Sequence, residues 1–236
     1  MKKILLLAFG LGVAIWLNYQ KSVDRALQKA CDGGTLEACL DLGNRYRDRY
    51  RDGEGIPQDF ARVASLYEQA CDGGELLACN NLGVRYYRGE GVIRDMDRAV
   101  SLYEQACDGG VMPGCINLAN RYRSGGTRNL ARAADFHEQV CDGGVMRGCT
   151  NLGNMYRAGG GVAQDFNRAK DLYEQACDGG DMRGCTNLGN MYQAGDGITQ
   201  DLSRAASLYE RACDGGWRPA CTRSVTPNRA GPSNLF

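Results

Sequence analysis

Along most of the chain, apolar residues recur at steps of three and four, in short runs broken by glycine-rich stretches. The run holding Leu82 and Tyr86 has this spacing, and so does the run Ala99, Leu102, Tyr103, Ala106. Such steps line one side of a helix with apolar side chains, and no strand-like alternation competes. The pattern predicts paired amphipathic helices. Gly89-Glu90-Gly91-Val92 supplies the turn inside a pair, and Asp95 or Asp97 can cap the second helix, because a carboxylate accepts from free N–H groups at a helix start. Gly73-Gly74 ends a second helix, since glycine enters the left-handed conformation without steric penalty.

The pattern is periodic. Twelve cysteines fall in six pairs, each reading Cys-Asp-Gly-Gly with a second cysteine eight residues on: Cys31/Cys39, Cys71/Cys79, Cys107/Cys115, Cys141/Cys149, Cys177/Cys185 and Cys213/Cys221. The first members are separated by 40, 36, 34, 36 and 36 residues, so one unit is copied about five times. A lone hairpin cannot cover its own apolar stripe, and copies must stack. The expected fold is all-α, an αα-superhelix (solenoid). Gly43, Gly83, Gly153 and Gly189 sit mid-helix, with Ala119 in the equivalent place of the third copy. A mid-helix glycine costs about 1 kcal/mol relative to alanine, so its retention predicts a tight helix crossing.

The copies vary in length and the array has distinct ends. The first unit is four residues longer, in the charged run Arg45 to Asp52, and the third is two shorter, in the loop Ser124 to Asn129. Residues 1–22 read as a signal peptide or signal anchor, 23–222 as the solenoid, and 223–236 as a polar, proline-broken tail. Lys2-Lys3 followed by the apolar run 4–17 has the positive and hydrophobic regions of an export signal. Bulky residues follow the run, so residues 4–17 could remain as an inner-membrane anchor.

Three readings of the cysteines stand beside one another. The Asp-Gly-Gly reversal brings each pair within disulfide reach, and this reading is favoured. Zinc ligation is set against it by the eight-residue step and the single histidine, His137. Buried free thiols are the other alternative. Paired cysteines with an export signal point to an oxidising compartment, the periplasm of a bacterium or the space outside it.

The segments Cys79-Asn-Asn-Leu-Gly-Val-Arg-Tyr and Asp97-Arg-Ala-Val-Ser-Leu-Tyr-Glu-Gln-Ala-Cys-Asp-Gly-Gly resemble Sel1-like repeats. The cysteine step is similar to that of the cysteine-rich Hcp family first known from Helicobacter. The resemblance covers about residues 23–222. It implies a right-handed αα-superhelix of Sel1/TPR-like repeats with one disulfide each, and a secreted protein. For that family both protein interaction and β-lactam binding with weak β-lactamase activity have been proposed. The third copy departs from the pattern, with Ala119 for glycine, Phe136-His137 for Leu-Tyr and Val140 for alanine.

No catalytic constellation is visible. The serine β-lactamase motifs and the P-loop are absent, and one histidine with bonded cysteines cannot build a metal site or call for a cofactor. The repeated Asp32, Asp72, Asp108, Asp142, Asp178 and Asp214 suit a turn or cap role. The first helix of each unit carries a second face, one, five and eight residues after its cysteine. The resemblance to solenoids of this type, whose first helices line the concave groove, implies a groove floor of Asn44, Arg47, Asn80, Tyr87, Asn120, Arg123, Asn154, Arg157 and Asn190. An amide offers donor and acceptor together, which suits peptide backbone, and arginines can hold carboxylates. The asparagines two residues after the cysteine (Asn81, Asn117, Asn151, Asn187) read as bonds between helices. Zero net charge, from 28 basic and 28 acidic residues, argues against nucleic acid. The expected partner is a protein or peptide, with cell-wall peptides and β-lactams as the narrower candidates.

Overall fold

Thirteen residues from the start of one helix to its last turn is the recurring length in this protein, and the first and second helices of the hairpins share it. The computed structural model describes residues 2–51, 60–124 and 129–223; the side chains of 2–15, 17 and 49–51 are outside that description. Among the described residues there are twelve helices and no strand. The first helices of the five repeats are α2 (Leu36–Arg51), α4 (Leu76–Arg88), α6 (Met112–Ser124), α8 (Met146–Ala158) and α10 (Met182–Ala194). The second helices are α3 (Phe60–Asp72), α5 (Met96–Asp108), α7 (Leu130–Asp142), α9 (Phe166–Asp178) and α11 (Leu202–Asp214). The array opens on α1 (Lys2–Asp32) and closes on α12 (Arg218–Cys221). The fold is all-α, built from tandem hairpins, as the spacing predicts.

The chain forms two units, Met1–Gly114 and Cys115–Phe236. In the first, Leu42, Tyr67 and Leu82 are fully buried beside the Cys31–Cys39 and Cys71–Cys79 bridges. In the second, Tyr173 and Met191 are fully buried in one cluster, and Cys177 and Cys185 pack with Ala212 and Ala220 in another.

Local chemistry sets the helix ends. Asp95, Asn129, Asp165 and Asp201 each accept a bond from the backbone N–H three residues on, so Asp95 rather than Asp97 is the cap. At the other end the second glycine of Asp-Gly-Gly is decisive. Gly180 stands at φ +91°, its N–H reaches the Cys177 carbonyl at 3.1 Å, and the Asp181 N–H reaches the Ala176 carbonyl at 2.8 Å. This is the Schellman arrangement, which satisfies two orphan carbonyls and requires a left-handed residue. The preceding aspartates are the last helical residues. Asp32 accepts from Gln28 and Asp178 pairs with Arg211, so their carboxylates serve side chains and the glycine makes the turn.

Five disulfides join a helix to the one that follows it, α1 to α2, α3 to α4, α7 to α8, α9 to α10 and α11 to α12, with Cα atoms 4.5–4.8 Å apart: Cys31–Cys39, Cys71–Cys79, Cys141–Cys149, Cys177–Cys185 and Cys213–Cys221. Cys107 and Cys115 are also disulfide-bonded, and none of the twelve cysteines is free. Closing so short a loop is worth about 2.5 kcal/mol in the chain-entropy account. Complete oxidation fits an extracellular or periplasmic environment.

The longer first unit is taken up by helix, since α2 has 16 residues where α4 has 13. The short loop of the third copy includes 125–128, outside the described residues. The expected export segment lies mostly on residues whose side chains are undescribed; α1 continues through it without a break. Among the described residues no helix is long and apolar enough to cross a membrane. The expected tail lies outside the described residues except for Arg223, which the structure brings into the array.

Candidate functional site

The mid-helix glycines make room for a tyrosine ring. A Cβ on Gly153 would stand 2.6 Å from Tyr173 Cε1, and the pairs Gly43/Tyr67, Gly83/Tyr103 and Gly189/Tyr209 repeat the approach at 2.7 Å. The ring arrives from the second helix of the same hairpin and carries its hydroxyl through to the first. There Tyr173 Oη donates to Asn154 Oδ1 at 2.7 Å, Tyr67 to Asn44 at 2.9 Å and Tyr209 to Asn190 at 2.8 Å. Burial pushes the Tyr173 phenol up to about 12, so it remains a donor at any physiological pH.

Each of these amide oxygens takes a second donor. Asn81 Nδ2 donates to Asn44 Oδ1 at 3.3 Å and Asn187 Nδ2 to Asn154 Oδ1 at 3.0 Å, so neighbouring first helices are tied together. Arg223, two residues after the last cysteine, takes that place on Asn190 and stacks over Tyr209. With both lone pairs of the oxygen engaged, the amide cannot turn over. The Nδ2 groups of Asn44, Asn154 and Asn190 have no partner among the described residues. They are oriented donors open to solvent.

The other expected groove residues divide. Asn80 is buried at 5% exposure and donates to Asn81 at 3.4 Å, which corrects its assignment to an open face. The position one after the cysteine is covered generally: Leu40, Thr150 and Thr186 are buried, and Thr150 Oγ1 donates to Asp181, the N-cap of the next repeat, at 2.7 Å. Tyr87 is exposed at 45%. Arg47 leans on Asp48 at 3.0 Å, and Arg157 reaches Asp196 of the following repeat at 2.6 Å, so both guanidiniums already hold a carboxylate. Arg123 is exposed. Asn120 lacks a tyrosine, because its repeat has His137 there. In the second unit Asn154, Arg157, Ala158, Gln164, Phe166 and Asp196 enclose a pocket of about 310 Å³.

Two ladders escaped the sequence reading. Arg62, Arg132, Arg168 and Arg204 lie over the rings of Tyr46, Tyr122, Tyr156 and Tyr192 at 4.8–5.4 Å. Gln69 Nε2 donates to the Cys31 carbonyl, and Arg211 to the Cys177 carbonyl, each crossing to the preceding repeat. The signal for the first ladder was present: an arginine recurs three residues after the cap in each copy from Asp95 onward. Among the described residues no cluster of three His, Cys, Asp or Glu side chains could hold a metal ion.

This arrangement is that of a repeat array, and the comparisons agree. The model for the Sel1 repeat matches residues 36–75, 76–111, 113–145, 147–181 and 183–217, and the chain belongs to the Sel1 repeat family. Among solved structures it is similar to c5321, a protective antigen of uropathogenic Escherichia coli with an SLR fold, at 31% identity and TM-score 0.73. That match covers 82% of this chain but only 41% of c5321. A Sel1 repeat protein from Oxalobacter formigenes shares the fold at 24% identity and TM-score 0.67, covering 84% of this chain and 86% of its own. Helicobacter pylori cysteine rich protein B is 29% identical, with TM-score 0.44, over 54% of this chain and 93% of its own. No curated protein matches. Tandem Sel1 repeats are typical of protein–protein interaction modules.

Proposed function

We propose that this protein binds extended peptide segments of a partner through the first-helix face, acting outside the cytoplasm. One observation carries the reading. Asn44, Asn154 and Asn190 hold their amides in a single orientation, with the carbonyl consumed and the Nδ2 donor unpaired. An oriented N–H beside an exposed helix face suits a peptide carbonyl, and pre-orientation reduces the entropy lost on binding. The pocket by Asn154 offers a place for one ligand side chain, with Phe166 and Ala158 as apolar wall. The finer ligand choices, cell-wall peptide or β-lactam, have no observation in their favour here. His137, the only histidine, is sealed from solvent and placed for no hydrolysis.

The test separates binding from folding. Asn154→Asp keeps an oxygen for Tyr173 and Asn187 but replaces the free donor with a second acceptor. Peptides selected from a displayed random library on the oxidised protein should bind this variant about tenfold more weakly, the worth of roughly one hydrogen bond. Urea stability should stay within about 1 kcal/mol of the parent. Glu210→Gln on α11 should leave affinity unchanged. Selected peptides that bind Asn154→Asp and Asn190→Asp as tightly as the parent, or a library that yields no binder, would refute the proposal.

A further inference from the structure

Four of the five repeats put a tyrosine at one buried position of the second helix: Tyr67, Tyr103, Tyr173 and Tyr209. The third puts His137 there, and Ala119 where the other copies have the glycine that clears the ring. The two departures belong together, since an imidazole is shorter than a phenol and leaves space for one methyl group. What the exchange loses is the hydroxyl bond. His137 is 1% exposed, and neither Nδ1 nor Nε2 has a hydrogen-bond partner among the described residues.

The surroundings disfavour a positive imidazole. Arg123 on α6 and Arg147 on α8 are the charges acting on it, and no carboxylate among the described residues offsets them. Glu138, the next residue on its own helix, is engaged by Arg168 at 2.7 Å. A second proton would create a buried cation with two unsatisfied N–H groups in the field of two guanidiniums.

We propose that the third repeat is an acid-sensitive joint of the array: protonation of His137 opens this repeat locally while the tyrosine-bearing repeats remain closed. Local opening is the natural response of a repeat array, in which each hairpin depends chiefly on its neighbours. The sign follows from the direction of the perturbation. Burial first, then Arg123 and Arg147, lower the imidazole from 6.5 to about 4. The open form therefore binds the extra proton as pH falls below 6.5, and the closed form resists it until about 4. Stability is full above that window and falls through it. The opening constant rises about tenfold by pH 5.5 and roughly 300-fold below pH 4.

Because the chain has a single histidine, its imidazole Cε1–H signal in a proton spectrum of the native, oxidised protein needs no variant to assign. The signal should show no titration near 6.5 and should change only together with loss of native α7 resonances at pH 5 or lower. A reversible midpoint at or above 6 in the closed protein would overturn the proposal. Amide hydrogen exchange supplies the second measurement. Protection factors in α7, relative to those in α9, should drop at least thirtyfold between pH 7 and 4.5. The double variant Ala119→Gly/His137→Tyr, which installs the pair used by the other repeats, should lose that difference, and so should His137→Leu. A drop of equal size in the parent and in whichever variant folds would also overturn it.

Discussion

A glycine inside a helix is usually a cost, and here the cost is offset by what the glycine admits. Gly153 lets the Tyr173 ring lie against the α8 backbone, and the ring then delivers a hydroxyl to Asn154. Alanine at 153 gains about 1 kcal/mol of helix propensity but puts a methyl 2.6 Å from a ring carbon. The ring is held at its far end by Asn154 and cannot swing away. Gly153→Ala should therefore destabilise the protein by about 1–3 kcal/mol in urea unfolding. Adding Tyr173→His should recover part of that loss, because it recreates the Ala119/His137 pair. Additive losses in the double variant would show that the pairing of residue types in the third copy is coincidental.

At the scale of the helix and its ends, glycines in neighbouring turns do different work. Gly180 stands at φ +91° with open space around the site of a Cβ, so its role is conformational alone. Gly160 also has open space but no left-handed φ. Gly180→Ala should cost about 1–2 kcal/mol, whereas Gly160→Ala should be neutral or stabilise by up to about 1 kcal/mol through the unfolded chain. Chemical denaturation distinguishes them, and equal effects would contradict this assignment. These elements were the part most legible in the sequence. Helix period, caps and turn glycines act within a few residues, so Gly89 and the Cys-Asp-Gly-Gly turns could be read directly and the cap narrowed to Asp95 or Asp97. The site was less legible. A first helix is covered on more than one side, and periodicity alone did not show that the position of Asn80 and Thr150 is covered as well. The bond from Tyr173 to Asn154 joins residues 19 apart, which no local pattern specifies. Its trace in the sequence was the joint departure of Ala119 and His137, visible only once the crossing was known.

Within each of the two units, a repeat restrains the next, and the proposed binding face rests on that restraint. Cystines join successive hairpins, glutamine and arginine side chains reach back to the preceding cysteine carbonyl, and hydrogen bonds between asparagine side chains join neighbouring first helices. The same residues that hold the stack thus fix the donors on its face. Side-chain amide spectroscopy tests this link most directly. A peptide selected on the oxidised protein should be titrated into uniformly 15N-labelled protein, following the asparagine Nδ2 signals. The account predicts that those of Asn154 and Asn190, or that of Asn44 for a peptide held by the first unit, shift on binding while that of buried Asn80 stays in place. Unmoved signals at the first three, with changes confined to the arginine–tyrosine ladder around Arg168 and Arg204, would contradict it.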